Sequence, residues 1–443
     1  MIRKYFESKY VYNIKIVLFT LFIFFFDLGF DNLKVGSLKF DFLDARYLLF
    51  LILPIFIYDF FLIKKKKLIN LIFFFLVLII SLHTLVLKYI KVIDYSFVEV
   101  TKFFLSIFYI LIIIFYRDFI LKNILKFINL FLIFYFVLIF INSFLNYYNS
   151  EIICLFGCFS KNREIFKEAS HLAFISPLII IYYLNTIKIK KLNLIYKFLI
   201  LFFFISILNN LSTTLLGAII ISSILILITN YKFITNKKKF ILVIVFFTLL
   251  IPFDSNTVVK IDQFYDISRI INNKHVSDVF KINDKFKLNE IDLEGKIKKI
   301  DNPGKSKNLS IETLITNTKL AIYSLKNDYI GWGIHNYKYA HQAYISKVST
   351  SNVEGVMWLN SQDGTNNFNK GAVEFGFIFF VPILMIIYLL FDRKISINNK
   401  LLIFPILFSQ TFIRGAGFFN GGYIVFLIIL ISIYCSNFKG AKK

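Results

Sequence analysis

Arg163-Glu164-Ile165-Phe166-Lys167-Glu168-Ala169-Ser170-His171-Leu172-Ala173 runs directly into the apolar stretch Phe174-Ile175-Ser176-Pro177-Leu178-Ile179-Ile180-Ile181-Tyr182-Tyr183-Leu184. Ionisable groups at the edge of hydrocarbon cost several kcal/mol unless they are paired or solvated. Carboxylates, cations and an imidazole gathered at the mouth of such a run mark either a polar site at a membrane face or the point where a helix leaves the membrane. Both readings make the run a spanning helix, and the chain's other apolar runs are nearly free of charge.

The sequence is 443 residues long, 58% hydrophobic and 19% aromatic, with a mean hydropathy of +0.70. Soluble domains reach only about 45 to 50% apolar even with glycine counted, so the composition predicts a polytopic integral membrane protein. The net charge of +24 does not point to nucleic acid. Its lysines sit in short tufts between apolar runs, where they act as topology signals and contacts for anionic lipid headgroups. The first apolar run, Val17 to Phe30, is followed by Asp31-Asn32 and not by a small-residue cleavage site, so it is expected to stay as a signal anchor. Cys154 and Cys158 either pair in an oxidising compartment or remain thiols, and with Cys435 they form no metal-ligand spacing.

Apolar runs of about 17 to 25 residues qualify as spanning helices because the hydrocarbon core is about 30 Å thick. The fold expected is all-α, with about twelve such helices centred near residues 20, 54, 77, 107, 137, 179, 202, 221, 246, 381, 406 and 428. Lysine and arginine crowd the first tail and then alternate connections: Lys64 to Lys67, Arg117 to Lys126, Lys188 to Lys191, Lys232 to Lys239, Arg393 to Lys400, and the C-terminal tail. The positive-inside rule places these, and both termini, in the cytoplasm. Residues 1–253 then form a membrane domain of the first nine helices, 254–369 a large extracytoplasmic loop, and 370–443 a membrane domain of the last three. Within the loop, Glu312 to Leu325 has apolar residues at helical spacing and predicts an amphipathic helix suited to a membrane face.

Glu168 and His171 share one face if their helix begins near Lys167. A carboxylate there can deprotonate a hydroxyl, or it can simply cap the helix. Lysine is the chain's default cation, so Arg46, Arg163, Arg269 and Arg414, all outside by this topology, stand out. A guanidinium fork matches phosphate oxygens; Arg46, beside Asp44, is better explained by structural pairing. Asn209-Asn210-Leu211-Ser212-Thr213-Thr214 opens a helix with hydroxyls and amides that suit sugar hydroxyls, an anion or a cap. Gly331-Trp332-Gly333-Ile334-His335-Asn336-Tyr337 predicts a tight turn, in which Trp332 and Tyr337 either offer faces for sugar stacking or pack inward. The histidines are scattered and give no zinc spacing.

In this order the pieces resemble the O-antigen polymerase (Wzy) family, whose broader superfamily includes the O-antigen ligases. Phe166-Lys167-Glu168-Ala169-Ser170-His171-Leu172-Ala173 is similar to that family's F-x-E-P-S-H-x-A stretch, and Leu211-Ser212-Thr213-Thr214 with Gly217 to its L-S-x-T-x-x-G helix start. Gly331, Gly333, Asn336 and Tyr337 resemble its G-x-G-x-x-N-F turn. Asn366-Asn367 with Glu374-Phe375-Gly376 stands where members carry a polar pair and then E-x-G. The likeness spans about residues 160 to 390, the earlier helices matching only in being apolar. Ala169 replaces the family's proline, and Thr365-Asn366 stands where ligases carry His-Asn, which favours polymerase over ligase.

The resemblance implies a metal-independent, cofactor-free glycosyltransferase of the GT-C type in a bacterial inner membrane. Its donor would be a glycan on undecaprenyl pyrophosphate and its acceptor the next lipid-linked repeat unit, with a flippase and a chain-length regulator as partners. The implied catalytic groups are Glu168 and His335. The implied substrate-binding groups are Arg163, His171, Ser212, Thr213, Arg269, Asn336, Asn366 and Arg414. An O-antigen ligase is the nearest alternative, and a flippase for the same lipid is a different class. Flippases tend toward two related halves with polar groups near the midplane, which this chain lacks.

Overall fold

The computed structural model describes residues 9–24, 33–35, 38–40, 49–62, 67–91, 97–147, 169–186, 193–209, 213–234, 237–250, 309–348, 360–362, 364–393, 395–415, 417–419 and 421–440. The described chain is all-helical apart from a short antiparallel ladder, β1 (Leu33–Val35) and β2 (Leu38–Phe40), in which Leu33 faces Phe40 and Val35 faces Leu38. The chain divides into two compact units. One holds residues 1–79, 96–248 and 386–443, the other 80–95 and 249–385.

The first unit contains α1 (Lys9–Phe24), α2 (Leu49–Leu62), most of α3 (Lys67–Ile90), α4 (Phe97–Tyr147), α5 (Ala169–Thr186), α6 (Leu194–Asn209), α7 (Thr213–Asn230) and α8 (Lys237–Leu250). It ends with α13 (Ile397–Phe408), a π-turn over Ser409–Ile413, and α14 (Tyr423–Gly440). A described helix covers every centre expected from the apolar runs, with one correction. The spans expected near 107 and 137 are a single helix of 51 residues, α4. Arg117, Lys122 and Lys126 therefore lie inside a helix and not in a connection that reverses the chain. The segment contains neither glycine nor proline, so nothing local breaks it. Arg117 is buried and donates from Nη1 to the Ile114 carbonyl at 2.6 Å.

Among the described residues, two buried charges of this unit have several partners each. Asp59 on α2 accepts from Lys15 on α1 and, at 2.6 Å, from the Tyr116 hydroxyl on α4. Lys400 at the start of α13 is buried and donates to Asn230 Oδ1 at 2.9 Å and to the Leu390 carbonyl at 2.8 Å, tying the ends of three helices together. The helix led in by the opening stretch, α5, is buried at every position from Phe174 to Ile181 and packs on α7 and α13. A helix that is apolar all round belongs in the middle of a bundle.

The second unit holds the end of α3, α9 (Leu309–Asn327), α10 (Tyr337–Val348), α11 (Asn367–Phe375), a 3₁₀ turn at Gly376–Phe379, and the first part of α12 (Phe380–Phe391). The α9 helix appears where the spacing predicts one. Its inward face, Thr313, Thr316, Asn317, Leu320, Ala321 and Ser324, is covered by α10 and α11, so protein occupies the face that suited a membrane surface.

Two described helical stretches are long and apolar enough to cross a membrane. Val100–Phe140 has 41 residues with mean hydropathy 2.2, and Asn367–Phe391 has 25 residues with mean hydropathy 2.5.

Candidate functional site

Two of the sequence motifs meet in the second unit. The Trp332 amide donates to the Val373 carbonyl at 3.0 Å, the Gly333 amide to the Glu374 carbonyl at 2.7 Å, and the Phe377 amide to the Tyr329 carbonyl at 2.9 Å. The turn at 331–337 is thus laced to the end of α11. Glycine is required on both sides of the seam. A Cβ on Gly331, at φ +94°, would come within 2.6 Å of the Glu374 oxygen, and one on Gly376, at φ +58°, would overlap the Tyr329 carbonyl.

The turn has fixed most of its own polar groups. Asn336 is buried and donates from Nδ2 to the Trp332 carbonyl at 2.7 Å, while its own carbonyl starts α10. The Ile334 amide donates to Thr84 Oγ1 at 3.1 Å, and His83 Nε2 lies 2.9 Å from the Ile330 carbonyl. A carbonyl only accepts, so that ring nitrogen carries the proton. His335 is half-buried at φ +65°, a left-handed conformation uncommon outside glycine.

Asp328, just before the turn, accepts from Lys91, from Trp332 Nε1 at 3.0 Å and from the Tyr344 hydroxyl. Burial first, and then this carboxylate, push the Tyr344 hydroxyl above its ordinary range. Lys91 also sits 4.0 Å above the Trp332 ring, and Tyr344 packs edge-on against it. Burial pulls the Lys338 and Lys319 ammonium groups below their ordinary range.

These contacts bear on two readings of the sequence, and for the aromatic rings they favour inward packing over stacking. Tyr337 is wholly buried and donates to Asn317 Oδ1 at 2.8 Å, and Trp332 is covered by Lys91 and Tyr344. Neither ring is an open platform for a sugar. Asn366 is the N-cap of α11, accepting from the Asn369 amide at 2.8 Å, so its side-chain oxygen has a structural task. Beneath it Glu374 is fully buried, with Lys370 Nζ 3.8 Å away.

The first unit holds the other motif-bearing helices. The α5 and α7 helices pack on each other, on α13 and on the π-turn, and a Cβ added to Gly217 of α7 would lie 4.0 Å from the Ile413 side chain. Arg414 closes the π-turn through its amide, which donates to the Ser409 carbonyl at 2.9 Å. Inside, Gln410 donates to the Gly421 carbonyl at 2.6 Å. His171 and Thr213 lie on the first turns of α5 and α7. Arg163, Glu168, Ser212 and Arg269 lie outside the described residues, as do the side chains of His171 and Thr213.

Sequence reading missed His83, Thr84 and Lys91, whose only signal was their place near the end of an apolar helix. It also missed Asp328, four residues before Trp332, and Lys370, one helical turn from Glu374. Among the described residues no three His, Cys, Asp or Glu side chains lie together as metal ligands. No protein-family model, no curated protein and no solved structure matches the chain.

Proposed function

We propose that this chain is a polytopic membrane glycosyltransferase of the O-antigen polymerase type. It passes a glycan from undecaprenyl pyrophosphate to the terminal sugar of the next lipid-linked repeat, at the outer face of the inner membrane. One observation carries the reading. The elements bearing four separately noted motifs associate in pairs, α5 with α7 in the first unit and the 331–337 turn with α11 in the second. The two helices of spanning length support a membrane protein, and the lysine tufts favour an even number of passages, about twelve at most, with both termini inside.

In this reaction an acceptor hydroxyl attacks the anomeric carbon, the bond from that carbon to the pyrophosphate oxygen breaks, and the acceptor proton passes to a base. Glu168 or His335 takes the proton, and Arg163, Arg269 and Arg414 stabilise the departing pyrophosphate. His171, Ser212, Thr213, Asn336 and Asn366 border the substrate; the last two act by holding the backbone of their turn and helix. The same resemblance implies a flippase and a chain-length regulator as partners.

The deciding experiment gives the purified protein, in liposomes that also carry a lipid A core acceptor, a labelled lipid-linked repeat. Glycan lengthening with release of undecaprenyl pyrophosphate is the expected result. Leaflet exchange without lengthening makes it a flippase, and transfer to a lipid A core acceptor makes it a ligase.

A further inference from the structure

The seam between the 331–337 turn and α11 leaves two apolar tips side by side. Tyr329 and Ile330 are 64% and 44% exposed, and Phe377 and Ile378 are 59% and 53% exposed. The Phe377 amide bonds the Tyr329 carbonyl, and Gly376 lets the two backbones touch, so the tips form one wedge. Large apolar side chains gathered like this on a protein surface mark a contact with something apolar.

Two further observations identify the occupant. The wedge continues without interruption into α12, whose Val381 and Leu384 are also exposed, within the stretch Asn367–Phe391 that is long and apolar enough to cross a membrane. The carbonyls of the non-helical tip are also satisfied from within the protein, Tyr329 by the Phe377 amide and Ile330 by His83 Nε2. Water would satisfy such carbonyls at no structural cost. Hydrocarbon cannot, and irregular backbone at membrane depth has to bring its own donors.

We propose that Tyr329, Ile330, Phe377 and Ile378 form a wedge inserted into the acyl-chain region of the bilayer, anchoring the second unit to lipid beside the start of α12. This rests on the 367–391 stretch crossing a membrane and not on glycosyl transfer, so it stands or falls separately from the proposed reaction. His83 is then a positioning residue that shields the Ile330 carbonyl from hydrocarbon.

The test attaches a nitroxide to single cysteines in a chain whose Cys154, Cys158 and Cys435 are replaced by serine. Ile330→Cys and Phe377→Cys, with Tyr329→Cys and Ile378→Cys as second choices, are compared with Gln342→Cys on the exposed side of α10. In phosphatidylcholine liposomes the collision ratio of oxygen to a water-soluble nickel chelate is expected to be several-fold higher at 330 and 377 than at 342. Equal ratios at all three positions place the tips in water and overturn the proposal. Protection from both relaxants shows protein covering the tips and overturns it too.

Discussion

The Gly333 amide donates to the Glu374 carbonyl at 2.7 Å, joining a turn before α10 to the end of α11. That bond lies between glycines that have no room for a side chain, which makes the seam sensitive to single methyl groups.

Gly376→Ala is expected to be severe, because its Cβ would overlap the Tyr329 carbonyl at a left-handed φ of +58°. A loss of about 3 kcal/mol or more is in keeping with backbone strain plus a steric clash. Gly217→Ala should be neutral or stabilising by up to about 1 kcal/mol, since it lies within a helix and the added Cβ would come no closer than 4.0 Å to the Ile413 side chain. Thermal midpoints of the two variants in detergent, at matched expression, check the contrast.

Tyr344 makes stability depend on pH at the alkaline end. The Tyr344 phenol is held above its ordinary value of about 10 in the folded protein. The unfolded chain therefore releases that proton first as pH rises. The stabilisation is complete below about pH 10 and is lost as pH climbs through the higher native value. The thermal midpoint should fall more steeply above pH 10 in the wild type than in Tyr344→Phe, and equal slopes would dismiss the effect.

Asn366 separates a cap from a substrate contact. Asn366→Ser keeps an oxygen for the Asn369 amide and should behave as wild type, whereas Asn366→Ala should cost about 1 kcal/mol. If glycan length collapses in Asn366→Ser while the thermal midpoint holds, the side chain touches substrate after all.

Glu168→Gln keeps size and hydrogen bonding but loses basicity, so polymerisation should drop about 10²- to 10⁴-fold with protein level unchanged. Arg414→Lys should fail nearly as badly as Arg414→Ala, because an ammonium keeps the charge without the fork. Long-chain glycan in a deletion strain carrying each variant measures both. Full rescue by lysine would leave Arg414 a general surface charge.

In spheroplasts, a cysteine at Lys296 is expected to react with a membrane-impermeant thiol reagent, and one at Lys238 to stay protected. The reverse pattern would move the proposed chemistry to the cytoplasmic face.

The helices were legible because a run long enough to cross hydrocarbon is also long enough to fold as a helix, as α5 and α14 show. The break expected at Arg117 was not, since positive charge reports sidedness while only the backbone decides whether a helix continues. Nothing in 97–147 stops one. The Gly331 turn was legible from its glycines, but the burial of Tyr337 depends on Asn317, a partner supplied by a different helix. The α10 helix escaped notice because its inner face is built from Tyr337, Ala340, His341, Ile345 and Val348, a mixture too polar for an apolar stripe. Glu168 and Ser212 themselves lie outside the described residues, and chemistry assigned to them rests on the sequence.

The unbroken α4 makes sidedness a question of parity. With the first tail inside, residue 254 lies outside only if the chain has passed through the bilayer an odd number of times before it. One helix standing where two passages were expected removes one passage and changes odd to even. Reaction of the reagent at Lys296 would therefore require that one more helix upstream of 254 does not cross, so the labelling counts passages as well as locating the loop.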